Sequence, residues 1–211
     1  MTNSDFPFVS ILVPIRNDCK YIKGCLEIIF NQEYPKEKIE ILVADGMSTD
    51  QTRDVVEKYQ NCIPPVFLID NPGRIVPTGM NLALRRAKGA IIIRVDGHCE
   101  ISNDYVKNCV RHLLLDQVDG VGGPMQTIGE TSVSEIVALA MSSKFGVGGS
   151  AFRTTEGMTI LADTVPFPAY SREIVEKAGL YDEELVRNQD DEYNYRIREL
   201  GGKILLADDV R

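Results

Sequence analysis

The sequence lacks the marks of several protein classes. It has no CxxC pair, and its cysteines, Cys19, Cys25, Cys62, Cys99 and Cys109, are an odd number. No zinc knuckle or disulfide framework is indicated, and a reducing cytosol is the simplest compartment. No apolar run approaches the roughly 18 residues of a membrane-spanning helix. The opening MTNSDFPF has an Asp and neither a basic n-region nor a long apolar stretch, so no signal peptide is expected. No GxGxxG follows the first apolar run, where VPIRND stands instead. That argues against a dinucleotide-binding oxidoreductase. No GxGTR-like loop near the N-terminus speaks for a sugar-phosphate nucleotidyltransferase, and no internal repeat or low-complexity stretch is visible. Bases are also short: 23 Lys and Arg face 31 Asp and Glu, a net charge of −8. Such a surface repels phosphate backbones, so nucleic acid is not an expected partner. An acidic chain that handles a phosphorylated small molecule needs a local cation, either an arginine or a bound metal.

What is present is an ordinary globular composition, with 44 % hydrophobic and 26 % charged residues. The chain of 211 residues is long enough to bury a core as one large domain or two tightly joined lobes. Its first half alternates apolar runs with helical patterns. FVSILVPI (8–15), IEILVA (39–44), PVFLID (65–70) and AIIIRV (90–95) read as buried strands. Asn17 or Asp18 can cap a helix with Tyr21, Ile22, Cys25, Leu26 and Ile29 at helical spacing. Residues 48–51 offer a capping box for the next helix. NPGR (71–74) suits a type II turn, and a helix over 78–88 would end at Gly89. This alternation predicts a mostly parallel sheet with helices on both faces. The second half is less regular. Helices are expected near 102–116, 132–145, 171–178 and 190–200, and strands at 120–125 and 203–208. TVPFPAY (164–170) reads as extended, and the glycine-rich stretch 146–157 as a mobile loop. Residues 1–100 read as a nucleotide lobe and 101–211 as an acceptor lobe.

In parallel sheets ligands bind beyond the carboxyl ends of the strands. Those ends carry Pro14 and Arg16, Asp45, Asp70 and Asn71, then Asp96 and His98. Asp96 and His98 are two apart on a chain leaving a strand, so both could meet one divalent ion; Asp–Gly is equally what a plain strand-end turn uses. An imidazole in the set suits Mn²⁺ somewhat better than Mg²⁺. Asp45 could face a ligand across Gly46, or simply accept N–H groups of its own turn. Arg74 could clamp a diphosphate or lie solvated in its loop. In NQDDEYNYRIREL (188–200), Asp190, Tyr193, Ile197 and Leu200 share one helical stripe. Asp190 then lies on the inward face of the first turn, as a proton acceptor or as a mere N-cap. His112, among leucines, and Cys99 read as structural.

Together VSILVPIRND, ILVADGMSTDQT, NPGRIVPTGMNLALRRAKGAIIIRVDGHCE and YDEELVRNQDDEYNYRIRELGG resemble the family 2 glycosyltransferases of GT-A fold. They span nearly the whole chain. RVDGHCE with VRNQDDEYNYR looks closest to bacterial exopolysaccharide members of the succinoglycan glucosyltransferase type. The resemblance implies that Pro14 and Arg16 border the nucleotide and that Asp45 hydrogen-bonds the uracil. Arg74 would approach the phosphates, and Asn81 would support that loop. Asp96 and His98 occupy the metal motif, usually Asp-x-Asp, with a Mn or Mg ion expected. Asp190 matches the catalytic base, preceded here by Gln189 where the family has Glu. The QxxRW motif of processive synthases does not occur, so transfer of single sugars is expected. The partners implied are a UDP-sugar donor and a glycan or lipid-linked saccharide acceptor. A cytoplasmic domain, at the inner face of the membrane or in a homodimer, is compatible with this. The chain ends with ADDVR, and a further C-terminal part that contacts a membrane is expected. The alternative is a non-catalytic subunit that binds nucleotide-sugars.

Overall fold

The computed structural model describes residues 6–129, 131–141, 151–154 and 157–211. The four expected apolar runs form β1 (Val9–Ile15), β2 (Ile39–Asp45), β3 (Val66–Asp70) and β4 (Ile91–Arg94). They lie parallel in the order β3-β2-β1-β4. Every residue of β1 and β2 is buried, as strands covered on both faces require. Odd positions of β1 (Val9, Ile11, Val13, Ile15) join a core with α1 (Ile22–Phe30) and α4 (Tyr105–Leu115). On the other face Leu12 joins Leu42, Met80, Tyr170, Tyr193 and Ile197. That core brings in α3 (Val76–Arg86), α7 (Arg172–Ala178) and α8 (Gln189–Glu199). The short α2 (Thr52–Glu57) precedes β3. Two further described helices are α5 (Ser132–Met141) and α6 (Ala151–Thr154).

The second half extends the same sheet rather than starting another. Beyond β4 the order is β7 (Ala169–Ser171), β5 (Gly120–Gly122), β8 (Ile204–Leu206) and β6 (Ile160–Leu161). Here the sheet is mixed. β7 runs antiparallel to both β4 and β5, β5 pairs with β8 in parallel, and β6 runs antiparallel to β8. Most of the stretch read as a mobile loop, 146–150 and 155–156, lies outside the described residues, as does 142–145 of the helix expected there.

Several local expectations are corrected. α1 starts at an uncapped Tyr21, and Asp18 contributes its main-chain carbonyl rather than its side chain. Asn17 instead adopts φ 55° and ties the loop after β1 to Ser48 and Thr49. At α2 the N-cap position is Gln51, whose side chain makes no cap; Asp50 before it accepts from the Thr52 amide and hydroxyl, and the Ser48 hydroxyl turns to Asp45. NPGR is not a type II turn. Gly73 keeps ordinary backbone angles, and Arg74 takes the left-handed position at φ 60°. Ser171 does cap its helix, accepting from the Ile174 amide.

At the amino end of the sheet a buried polar group sets the entry to β4. Glu40 accepts from the Ser10 hydroxyl (2.6 Å) and the Lys88 amide (2.6 Å), and the Gly89 amide donates to Ser10 Oγ (2.7 Å). Gly89 stops no helix directly, since α3 ends at Arg86; it is required by close approach. A Cβ there would meet the Ser10 nitrogen at 2.4 Å and the Ile91 oxygen at 2.6 Å. Neither atom is on a flexible side chain. Gly89→Ala should therefore lower stability by about 1–3 kcal/mol, the usual range for overpacking. A urea titration that gave an unchanged midpoint would contradict this packing.

Candidate active site

The carboxyl ends of the parallel strands meet in register. Ile15 pairs with Asp45, and Asp45 with Asp70; Leu12 pairs with Arg94, so Asp96 emerges beside the end of β1. A cavity of about 280 Å³ opens there. Pro14, Arg16, Arg74, Asp96 and His98 line it, so five of the expected site residues come together. Gly46 lines it too, but the space above it is taken by Arg16, whose side chain a Cβ would meet at 3.1 Å.

Besides Asp190, which lies elsewhere, two expected residues do not face this cavity. Asp45 is fully buried and already engaged. It accepts from the amide of Ser48 (3.1 Å), from the Ser48 hydroxyl, and from Arg53 Nη1 (2.7 Å). Arg53 Nη2 reaches on to Asp70 at 2.7 Å. The carboxylate of Asp45 is thus turned to its own loop and to α2, as the turn-accepting alternative had it. Asn81 supports a different loop from the one expected. Its amide donates to the Tyr181 carbonyl and to Glu183, and its oxygen accepts from the Tyr181 amide. The 71–78 loop is held by Asn71, which donates to the Ile75 carbonyl and accepts from Thr78.

A second cavity, about 240 Å³, lies on the other side of Asp96. Arg94, Phe167, Asn188, Asp190 and Asp191 are among its walls. Asp96 belongs to both cavities and is their common wall. Asp190 is not an N-cap. That position is Asn188, at φ 58°, and Asp190 sits within the first turn of α8. Tyr193 and Ile197 of its stripe are fully buried, whereas Leu200 is 51 % exposed and already past the helix. Tyr193 stacks on Tyr181 with ring centroids 4.1 Å apart, which fixes the rotation of α8. That rotation directs Asp190 to the site.

Sequence reasoning missed Arg94. Its side chain is 5 % exposed and lies between the two carboxylates. Nε and Nη2 donate to the two oxygens of Asp96 at 2.8 and 3.2 Å, and Nη1 donates to Asp190. Burial opposes the charge on Arg94, but the facing carboxylates of Asp96 and Asp190 outweigh it and raise its pKa. The signal was available: an arginine inside the run IIIRV must be paired, because unpaired charges are almost never buried. Arg53 follows the same logic, since two carboxylates ending neighbouring strands need a cation between them.

The donor set suits a divalent cation that brings its own further ligands. Among the described residues no group of three His, Cys, Asp or Glu side chains could hold a metal. Asp96 and His98 offer one oxygen and one nitrogen ligand, and phosphate oxygens and water would have to complete the shell. Nearby thiols are inert. Burial, reinforced by Asp96, pushes Cys99 up to about 12, and burial does the same to Cys25. His112 is a structural tie, with its ring nitrogens 2.6 Å from Asp116 and 2.7 Å from Asp209.

The chain is thus an α/β domain with a mostly parallel central sheet flanked by helices, charged residues at its strand ends and one carboxylate shared by two cavities, and its fold is that of the GT-A glycosyltransferases. The model of glycosyl transferase family 2 matches residues 10–179, and the chain belongs to that family. It is 31 % identical over 205 residues to a dolichyl N-acetyl-alpha-D-glucosaminyl phosphate 3-beta-D-2,3-diacetamido-2,3-dideoxy-beta-D-glucuronosyltransferase of Methanococcus voltae, with 93 % of this chain and 63 % of that protein covered. It is also 31 % identical over 200 residues to the succinoglycan biosynthesis protein ExoA of Rhizobium meliloti, with 94 % and 60 % covered. The chain thus spans less than two thirds of the length of these relatives. Among solved structures, TarS residues 1–349 of S. aureus superposes with a TM-score of 0.76 at 22 % identity, covering 96 % of this chain and 58 % of that one. The mannosyltransferase PcManGT of Pyrobaculum calidifontis, in complex with GDP-Man and Mn²⁺, gives a TM-score of 0.73 at 22 % identity, with 99 % and 56 % covered. These likenesses show the shared fold.

The half-buried carboxylate of Asp190 has a stability consequence. Burial raises its pKa above the ordinary 3.8, Arg94 pulls it back, and Asp96 adds to the rise. A carboxyl group with a raised folded-state pKa adds nothing unfavourable below its unfolded value, and destabilises progressively as pH rises through the folded one. Asp190→Asn removes that unfavourable charge. Its thermal midpoint should exceed that of the wild type at neutral pH, with the margin narrowing as the pH is lowered. A variant less stable at neutral pH would mean that the ion pair with Arg94 outweighs burial.

Proposed function

We propose that the domain transfers a sugar from a UDP-sugar to an acceptor hydroxyl, with inversion at the anomeric carbon. The observation that carries this reading is the position of Asp96, shared by a cavity lined with Arg16, Arg74 and His98 and by one containing Asp190. A diphosphate in the first cavity places the anomeric carbon near that shared wall, and an acceptor in the second approaches from the side of Asp190.

Pro14 and Arg16 border the nucleotide; Asp45, held by Ser48 and Arg53, fixes the loop after β2 instead of hydrogen-bonding the uracil. Asn81 fixes the 181–183 loop that leads towards α8. Arg74 neutralises charge on the departing diphosphate, a form of electrostatic stabilisation that is strong where water is excluded. Asp96 and His98 would hold a divalent cation, Mn²⁺ or Mg²⁺, which supplies further charge neutralisation at that leaving group. Asp190 takes the proton of the attacking hydroxyl, a contribution of about 10²–10⁴-fold. Holding donor and acceptor in line across Asp96 supplies much of the remaining acceleration.

Relatives support the substrate classes. TarS has been solved with UDP and with UDP-GlcNAc, PcManGT with GDP-Man and Mn²⁺, and the R. meliloti relative is named for succinoglycan biosynthesis. A role in bacterial exopolysaccharide or cell-surface glycan synthesis follows, with a glycan or lipid-linked saccharide as acceptor. We place the reaction on the cytoplasmic side. No described helix is long and apolar enough to cross a membrane.

Calorimetric titration of UDP with Mn²⁺, with Mg²⁺ and with EDTA tests the donor site. Binding should require the cation and vanish in Asp96→Ala. Asp190→Asn should bind UDP normally and transfer about 10²–10⁴-fold more slowly. Absence of UDP binding under every condition would sink the donor assignment, and full transfer by Asp190→Asn would sink the base.

A further inference from the structure

Arg94 offers a single positive charge to two carboxylates, and it does so from inside a strand where water cannot share the task. Its fork occupies both oxygens of Asp96 at 2.8 and 3.2 Å, and its remaining nitrogen holds Asp190. A bare divalent cation approaching the shared wall therefore meets a carboxylate whose two oxygens are already engaged, beside a fixed guanidinium that repels it. Among the described residues there is no third acidic, imidazole or thiol ligand to offset this. A nucleoside diphosphate changes the balance, because it brings negative charge and phosphate oxygens to the same place. Cation and diphosphate each make the site habitable for the other.

We propose that Arg94 is the positioning residue of this site: it withholds Asp96 from a bare divalent cation, so that the cation enters only with the donor's diphosphate, and it aims the Asp190 carboxylate at the acceptor. The proposal rests on the donor reading given above. It makes removal of Arg94 act in opposite directions on two measurable quantities. Asp96 no longer shares its oxygens with a guanidinium, so the bare cation binds better. Asp190 loses the partner that orients it, so transfer slows.

The test is Arg94→Gln, with free Mn²⁺ followed by electron paramagnetic resonance, with and without UDP. The wild type should bind Mn²⁺ weakly alone and more than about tenfold tighter with UDP; that coupling is reciprocal, so UDP should gain equally from Mn²⁺. In Arg94→Gln, Mn²⁺ alone should bind about tenfold tighter, as expected when a like charge a few ångströms away is removed. The coupling to UDP should shrink. The kcat for transfer should fall about 10²-fold while the donor KM moves much less. A merely structural defect would instead weaken Mn²⁺ binding and UDP binding together. Should Arg94→Gln fail to fold, Arg94→Gln with Asp190→Asn removes the unpaired carboxylate, and the Mn²⁺ titration is made on that variant. Mn²⁺ affinity without UDP that is unchanged or weaker on loss of Arg94 overturns the proposal. So does a wild type that binds Mn²⁺ equally well with and without UDP. A wild type that binds no UDP in any metal refutes the donor reading instead.

Discussion

The structure turns on how two arginines, one of them buried, answer the carboxylates at the ends of its parallel strands. A parallel sheet brings strand ends side by side, and here they carry Asp45, Asp70 and Asp96, with Asp190 brought in from α8. Like charges in register repel, so the fold supplies a cation between each pair. Arg53 reaches from α2 to bridge Asp45 and Asp70, and Arg94 bridges Asp96 and Asp190 from within β4. The two bridges differ in weight. Arg53 is 31 % exposed and Asp70 63 %, so water screens that link. Arg94 is buried, and its removal would strand two carboxylates at once, a loss that for buried pairs typically costs about 3–5 kcal/mol. The orientation of α8 against the sheet is tied to that bridge and to the Tyr181–Tyr193 stack.

Much of this was legible in the sequence because the first half obeys one rule. Apolar runs of strand length separated by helical patterns can only be a covered parallel sheet, and the rim residues follow from where the runs stop. The failures have separate causes. The stripe from Asp190 to Leu200 broke at its last member because Leu200 lies beyond the end of the helix, and periodicity says nothing of where a helix stops. The turn at 71–74 misled because Gly was assumed to take the left-handed position, which Arg74 takes instead. The second half was obscure because its strands are two or three residues long and pair across large sequence separations. Ala169–Ser171 lies between Ile91–Ile93 and Gly120–Val121, a placement that no local pattern encodes.

The site residues divide in the same way. Pro14, Arg16, Arg74, Asp96 and His98 come together in one cavity because all lie at or just beyond the carboxyl ends of the parallel strands. Asp45 ends its strand too, but Ser48 and Arg53 claim its carboxylate, a competition visible only in three dimensions. Arg94 and Arg53 were overlooked because each was read as part of its element, a strand residue and a helix residue, rather than as a charge that needs a destination. An arginine in an otherwise apolar strand is as informative as the aspartate two residues later.

Backbone geometry marks the same region independently of charge. Among the described residues, the non-glycine positions with left-handed φ are Asn17, Met47, Arg74, Gln117, Phe167 and Asn188. Of these, Arg74 lines the first cavity, and Phe167 and Asn188 line the second. Asn17 and Met47 lie in the loops that follow β1 and β2 at the same end of the sheet. Backbone held in sparsely populated regions costs about 1–3 kcal/mol per residue and persists only where surrounding contacts enforce it. At Asn17 those contacts are its hydrogen bonds with Ser48 and Thr49; at Arg74 the enforcing contact is the Asn71 carbonyl accepting its amide. Gln117, before β5, lies apart, but the other five gather at the loops after β1, β2 and β3 and at the second cavity. The sheet beneath is apolar, fully buried in β1 and β2, and rigid enough to hold them. A stable half-sheet thus supports a rim that is unfavourable in both charge and backbone, and that rim surrounds the wall shared by the two cavities.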